Sequence, residues 1–347
     1  MNGINLSAFF VGAATMYFAM YVARIFAMES RTRWQTILGY IFVLWTLLNL
    51  KDILITFPSL YTPQMLNAII ICDGWSAISY TVLVFELTQP RWTTKSRLLK
   101  LCIPFAAFTL LYAVWPVERV VQAYVCFLFV YAWTIVFIAY FRARRYIRYI
   151  RANYSNIDRL DISWLRIVFL FAIISQLAWL ATSLIANSIA DTIYYISTIV
   201  MWQVVLHYSW DIKPIEIEDD TERETDAEKE DDAERMPVRE YTFVQRLEEL
   251  MEQEELYLKK DLTLNELAAA INTNRTYLSD YFSTVCQQTF YDYINHLRIY
   301  KKSIPLMEEH PEYTIDHIAN KSGFNSTSTF RRAFFKITGQ RPRDYHP

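Results

Sequence analysis

Apolar runs of about twenty residues recur along the first 213 positions of this 347-residue chain. Seven stand apart: residues 4–26, 34–50, 66–87, 98–115, 120–141, 165–185 and 189–210. A helix needs roughly twenty residues to cross about 30 Å of hydrocarbon, so each run reads as one span. Trp34, Trp92, Trp115, Trp164 and Trp210 stand at or near run ends, where amphipathic rings favour the membrane–water boundary. The first run lacks a basic leader flank and is too long for a leader's apolar stretch, so it is expected to remain as a span.

The pattern changes twice further on. Residues 216–235 hold twelve acidic and three basic side chains, with Ile217 as the one large aliphatic. Such a stretch buries too little apolar surface to order itself and reads as a disordered, self-repelling linker. Two roles stay open for it: a spacer, or a DNA mimic competing for the C-terminal domain. From residue 241 the periodicity is helical. Phe243, Leu247, Leu250 and Met251 mark a first amphipathic helix, a candidate face for a second copy or for its own domain. Thr263 and Glu266 form a capping box ahead of Leu264, Leu267 and Ala268. A turn at Ile271-Asn272-Thr273-Asn274 leads to a helix from Arg275 with Leu278 and Phe282 facing inward.

That layout returns. Thr314 caps a helix with Ile315, Ile318 and Ala319, Gly323-Phe324-Asn325-Ser326 turns the chain, and a helix from Thr327 buries Phe330 and Phe334. Gly339 suits its end, and Pro342 suits the first turn of a last short helix. Leu278, Phe282 and Tyr293 correspond to Phe330, Phe334 and Tyr345 at an offset of 52, and Leu267-Ala268 to Ile318-Ala319 at 51. The repeat is a duplicated helix-turn-helix, joined by a helix from about 290 to 308. Pro305 falls inside that connector, where its missing donor predicts a kink or an early end.

Charge divides the chain the same way. Residues 1–213 carry 17 basic against 9 acidic groups, 214–240 carry 4 against 13, and 241–347 carry 13 against 14. In the membrane part, eleven basic residues fall in the odd-numbered loops, six of them between Arg142 and Arg159, and only Lys51 and Arg119 in the even ones. Positive loops stay cytoplasmic, so the N-terminus is expected outside and the C-terminal part inside. Within the spans, Arg24, Lys100, Arg166 and Glu86 lie near inner ends and reach the boundary. Asp73 and Asp191 lie in outer halves with no basic residue at their depth. They are either carboxyls satisfied by neighbours such as Ser76 or Thr192, or parts of an outward-facing pocket for a small ligand.

Several chemistries are excluded. The six glycines are never closer than nine residues apart, so no phosphate-cradling loop exists. The four cysteines show no CxxC spacing, and neither HExxH nor GxSxG occurs. No cofactor, metal site or enzymatic activity is expected.

Residues 241–347 resemble the DNA-binding domain of the AraC family of bacterial transcription regulators. The likeness rests on Thr314-Ile315-Asp316-His317-Ile318-Ala319, Gly323-Phe324, the run Ser326 to Lys336, Gly339, Pro342 and Tyr345. Leu267-Ala268, Tyr277-Leu278, Phe282, Phe290, Tyr293 and Leu297-Arg298 support it. It implies two reading helices in adjacent major grooves. It also implies base-edge candidates Arg275, Thr276, Ser279, Asp280, Thr327, Ser328, Thr329 and Arg332, with Arg331 and Lys336 on phosphates. Asp280 departs from the family's polar or basic residue.

The expected architecture is therefore all-α: a seven-helix transmembrane bundle (1–213), an acidic linker (214–240) and a double helix-turn-helix domain (241–347). The expected function is a one-component regulator in the bacterial cytoplasmic membrane. Its expected partners are double-stranded DNA, the lipid bilayer, a second copy, a small-molecule or envelope signal and, through the resemblance, RNA polymerase in activation. A transporter-like or purely anchoring membrane part is the alternative.

Overall fold

The computed structural model describes residues 2–56, 62–185, 188–212, 215 and 241–345. Among them all regular structure is helical, apart from an isolated antiparallel bridge between Tyr154 and Thr263. The acidic stretch 216–235 lies outside the described residues. The described residues of Met1–Ala143 and Ile162–Glu216 form one compact unit, and those of Arg144–Asp161 and Ile217–Pro347 a second.

The first unit contains α1 (Asn2–Phe26), α2 (Arg33–Asp52), α3 (Pro63–Asp73), α4 (Ala77–Thr88), α5 (Lys95–Val114), the first part of α6 (Glu118–Asn153), α7 (Leu165–Ile185) and α8 (Ser188–Ser209). Threonines start three of them. Thr32 and Gln35 form a capping box on α2, Thr62 accepts from the Met65 N–H on α3, and Thr94 from the Arg97 N–H on α5. The apolar run 66–87 is not one helix: a tight turn at Gly74–Ser76 separates α3 from α4. Glycine is required there because an added Cβ would overlap the ring of Tyr124, 2.6 Å from its Cζ. α1 packs on α2 and α8, and α7 on α8. Aromatic rings fill the space between them, with Phe18 stacked on Trp45 at 5.5 Å between centroids and Trp45 edge-on to Trp202 at 5.9 Å.

Among the described residues, five stretches are long and apolar enough to cross a membrane: Leu6–Phe26, Pro63–Thr88, Lys95–Val114, Glu118–Asn153 and Ile189–Ser209. This is fewer than the seven expected. α2 falls short because Gln35, Asn49, Lys51 and Asp52 interrupt its apolarity, and the described apolar stretch Leu165–Trp179 of α7 is short. Beside its buried apolar side chains, this unit buries polar ones and exposes large apolar ones, unlike a water-soluble bundle. Gln35, Asn49, Asp52, Ser79, Thr81 and Glu86 are buried, whereas Phe9, Leu47, Leu99, Leu110 and Phe137 are each at least 59% exposed.

In the second unit, α9 (Val244–Glu252), α10 (Leu264–Ala270) and α11 (Arg275–Thr284) pack on α12 (Phe290–Leu297). Leu247, Leu250 and Met251 of α9 are buried in this core, so that face serves its own domain. α13 (Ile304–Glu309), α14 (Ile315–Lys321) and α15 (Thr327–Thr338) build a second core around Ile299, Ile318, Phe324, Phe330 and Phe334. The duplication is visible atom by atom. Phe282 lies 4.8 Å from Tyr293, and their counterparts Phe334 and Tyr345 lie 5.2 Å apart. Each turn closes alike: Thr273 N–H donates to Ala268 at 2.9 Å, and Phe324 N–H to Ala319 at 3.0 Å.

The connector does not end at Pro305. It widens to a π turn over Arg298–Ser303 and continues to Glu309, with Pro305 in the first turn of α13, where no donor is required. Pro342 does not open a last helix: residues 342–344 form a turn, closed by the Asp344 N–H on the Arg341 carbonyl at 2.9 Å.

Gly323 adopts φ +82°, and a Cβ there would lie 2.7 Å from the Leu258 carbonyl oxygen. Gly323→Ala is expected to destabilise the second unit by about 1–3 kcal/mol from backbone strain alone, with the clash adding to it. Hydrogen exchange of the α14 and α15 amides in the purified chain measures this; unchanged protection contradicts it.

Candidate nucleic-acid interface

The two reading helices are held by side-chain caps. Asn274 accepts from the Tyr277 N–H at 2.8 Å to start α11, and Ser326 from the Thr329 N–H at 3.2 Å to start α15. Asn272, at φ +54°, and Gly323 take the left-handed conformation each turn requires. Leu278, Phe282, Phe330 and Phe334 fix the inward faces, so the intervening positions face outward.

On α11, Thr276 is exposed and Ser279 half-buried, while the Arg275 guanidinium lies over the ring of Tyr149 at 5.4 Å. Asp280 accepts a hydrogen bond from the Tyr241 hydroxyl at 2.8 Å, which accounts locally for a carboxylate on a reading helix. On α15, Ser328, Arg331, Arg332 and Lys336 are exposed. Thr327 donates to Asp316 at 2.6 Å, and the Lys336 ammonium to Asp292 on α12 at 2.6 Å. Thr329 is 4% exposed, and its hydroxyl donates to Asp158. Arg332 donates to Thr329 Oγ1 at 3.2 Å and lies 3.9 Å from both Asp158 and Asp161.

Asp158 and Asp161 belong to the stretch 144–161, which packs within this unit. Ser155 N–H donates to the Leu262 carbonyl at 3.0 Å, and Asn156 Nδ2 to Asp261 Oδ1 at 2.9 Å. Tyr146, Ile150, Ile157 and Leu160 are buried. The bond from Asn156, joined by one from Asn325, holds the Asp261 carboxyl below its ordinary range. That contribution to stability is present above the carboxylate range and lost as pH falls through the folded pKa.

The anchor of this region is Arg298. Its guanidinium is 1% exposed and donates to the carbonyls of Tyr257 (2.7 Å), Lys259 (2.8 Å) and Ser155 (3.2 Å), while stacking over Phe324 at 5.5 Å. Burial pulls its pKa down to about 10, so it stays charged at neutral pH.

The membrane candidates separate. Asp73 does have a cation at its depth: Lys51 Nζ lies 2.5 Å from it and also pairs with Asp52. Trp179 Nε1 donates to Asp73 at 3.4 Å, and the Tyr195 hydroxyl to Asp52 at 3.1 Å. Asp73, with Trp45, Tyr80, Tyr131, Trp179 and Tyr194, lines a cavity of about 160 Å³. Asp191 is not part of that lining; its carboxylate accepts from Ser7 Oγ at 3.5 Å rather than from Ser76 or Thr192. Neither Lys51-Asp52 nor Asp158 and Asp161 stood out as site residues in the sequence. The one signal for the latter pair was that they are the acidic residues of the otherwise basic stretch 142–161.

Residues 267–346 match the helix-turn-helix domain family. The C-terminal part of the chain is a helix-turn-helix domain. An uncharacterized HTH-type transcriptional regulator of Staphylococcus aureus (strain COL) is 29% identical over 100 residues, 29% of this chain and 13% of the relative. The uncharacterized HTH-type transcriptional regulator YdeC of Bacillus subtilis (strain 168) is also 29% identical over 100 residues, 34% of its length. The matched region thus spans a small part of the Staphylococcus relative and about a third of YdeC. No solved structure matches the chain.

Replacing Arg298 by Met keeps its bulk and removes the donors. Each buried carbonyl left unpaired is expected to cost about 1–3 kcal/mol, read as a lower thermal midpoint of the purified chain. A midpoint equal to that of the parent would refute the anchoring role.

Proposed function

We propose that the chain is a membrane-bound bacterial transcription regulator of AraC type, binding double-stranded DNA through two helix-turn-helix units. The reading rests on one combination: a duplicated helix-turn-helix in the same chain as a helical unit that exposes many large apolar side chains and has stretches long enough to cross a membrane. Thr276, Ser328, Arg331 and Arg332 face outward from the two reading helices, as base and phosphate contacts require. Arg275, Ser279, Asp280, Thr327, Thr329 and Lys336 complete the site, several of them held by internal partners in this state.

The bilayer reading extends to seven spans. α2 has 20 residues, about 30 Å of helix. Its interrupting groups Gln35, Asn49 and Asp52 are buried, while Tyr40, Leu47 and Leu50 face outward. A polar group turned into the bundle is how a membrane helix carries one. With seven spans, the positive-inside loops put the N-terminus outside and residues 241–347 in the cytoplasm, the acidic linker serving as spacer. The membrane unit is a sensor, with the Lys51–Asp52–Asp73 cluster beside its aromatic cavity as the recognition centre; Asp191 is a secondary polar point. Activation through RNA polymerase and action as a dimer follow from the AraC likeness alone. A purely anchoring membrane part is the second reading, and the buried ionic cluster beside a cavity favours sensing over it.

Genomic fragments recovered by the full chain provide the test. Arg332→Ala is expected to weaken specific binding by about 1–3 kcal/mol, roughly 5- to 150-fold. An unchanged footprint and affinity remove Arg332 from the reading surface, and failure of the chain to retain any DNA overturns the function. Asp73→Asn is expected to change the regulated output of a reporter under the recovered promoter while leaving the amount of chain in the membrane unchanged. An unaltered output, together with full regulation after residues 1–213 are exchanged for an unrelated anchor, would establish the anchoring reading.

A further inference from the structure

We propose that residues 144–161 are an autoinhibitory clamp lying on the DNA-reading groups of both helix-turn-helix units. This rests on the DNA-binding reading above. Contacts from the two ends of the stretch carry it. At one end Tyr149 stacks under the guanidinium of Arg275, the first residue of α11. At the other, Asp158 accepts a hydrogen bond from the Thr329 hydroxyl, and the Asp158 and Asp161 carboxylates flank the Arg332 guanidinium on α15. Arg275, Thr329 and Arg332 are three of the groups that would meet a duplex. A carboxylate pair at an exposed guanidinium presents acceptors, as a guanine edge would, and the negative charge that a phosphate would present. The clamp and the duplex therefore compete for the same donors.

The stretch is built to stay in place without relying on those contacts. Ion pairs of 3.9 Å to a side chain 67% exposed hold little by themselves. The hold comes from the buried side chains of Ile150, Ile157 and Leu160, from Ser155 on Leu262, and from the Ser155 carbonyl on buried Arg298. Hence the reading-face contacts can be removed without unfolding the anchor. The clamp is also continuous in sequence with α6, whose apolar part is a membrane-span candidate.

The experiment measures binding of the detergent-purified full chain to a fluorescent mixed-sequence DNA duplex at fixed salt. The variant is Asp158→Asn with Asp161→Asn. Glu308→Gln with Glu309→Gln is the control: it removes the same charge from exposed positions at the end of α13. Because any lost negative charge favours DNA, only the excess over the control counts. The clamp variant is expected to bind about fivefold or more tighter than the control. Adding Arg332→Ala to both is expected to abolish most of that excess, since the freed group is then absent. A gain no larger than the control's, a gain untouched by Arg332→Ala, or weaker binding, which would make the stretch part of the DNA interface, each overturns the clamp while leaving DNA binding standing. No binding by the parent or any variant overturns the function itself.

Discussion

Arg298 is a cation almost without access to water, tolerated because carbonyl groups take up its donors. Its place in the chain makes it decisive. The residues before it on the connector, led by Ile294, belong to the first core, and Ile299 immediately after it belongs to the second. The loop carbonyls of Tyr257 and Lys259 meet it from one half, and the Phe324 ring stacks on it from the other. Two small cores are thereby held together through one buried group. The wide turn over Arg298–Ser303, closed by Ser303 Oγ on the Arg298 carbonyl at 2.8 Å, meets the constraint that Pro305 imposes without breaking the connector.

The same guanidinium extends its reach to Ser155, so the fixing of the two halves and the docking of residues 144–161 share one group. A loop held by a buried structural cation is positioned more tightly than one held by exposed ion pairs, which water and salt loosen. That anchoring brings Asp158 and Asp161 to Arg332.

The first unit combines an aromatic interior with buried polar side chains and an exposed apolar surface. Its polar side chains pair inside: Glu86 takes the Arg33 guanidinium at 2.9 Å and the Thr93 N–H at 2.8 Å, and Ser175 bonds Ser197 at 2.6 Å. Many of its large apolar side chains, Phe9, Leu99 and Phe137 among them, face out around an aromatic interior. In hydrocarbon this arrangement is favourable, because the unpaired polar group is what lipid penalises and the apolar surface is what it accepts.

Local chemistry alone settled much of the fold. Apolar run length located most helices of residues 1–212, threonine and asparagine caps located the starts of α10, α11 and α14, and the Gly323–Ser326 turn that of α15, because a cap or turn and the helix it starts lie within four residues of each other. The offset of 52 between Phe282 and Phe334 marked the duplication for the same reason, each core being made within its own repeat. What the sequence left open were pairings between residues far apart. Lys51 meets Asp73 across 22 positions, Arg298 meets Ser155 across 143, and Thr329 meets Asp158 across 171. Periodicity places a residue on a face; it carries no record of which distant face arrives opposite. Tertiary packing alone decided that Asp73 has a cation and that the second reading helix, in this state, holds a carboxylate of its own chain.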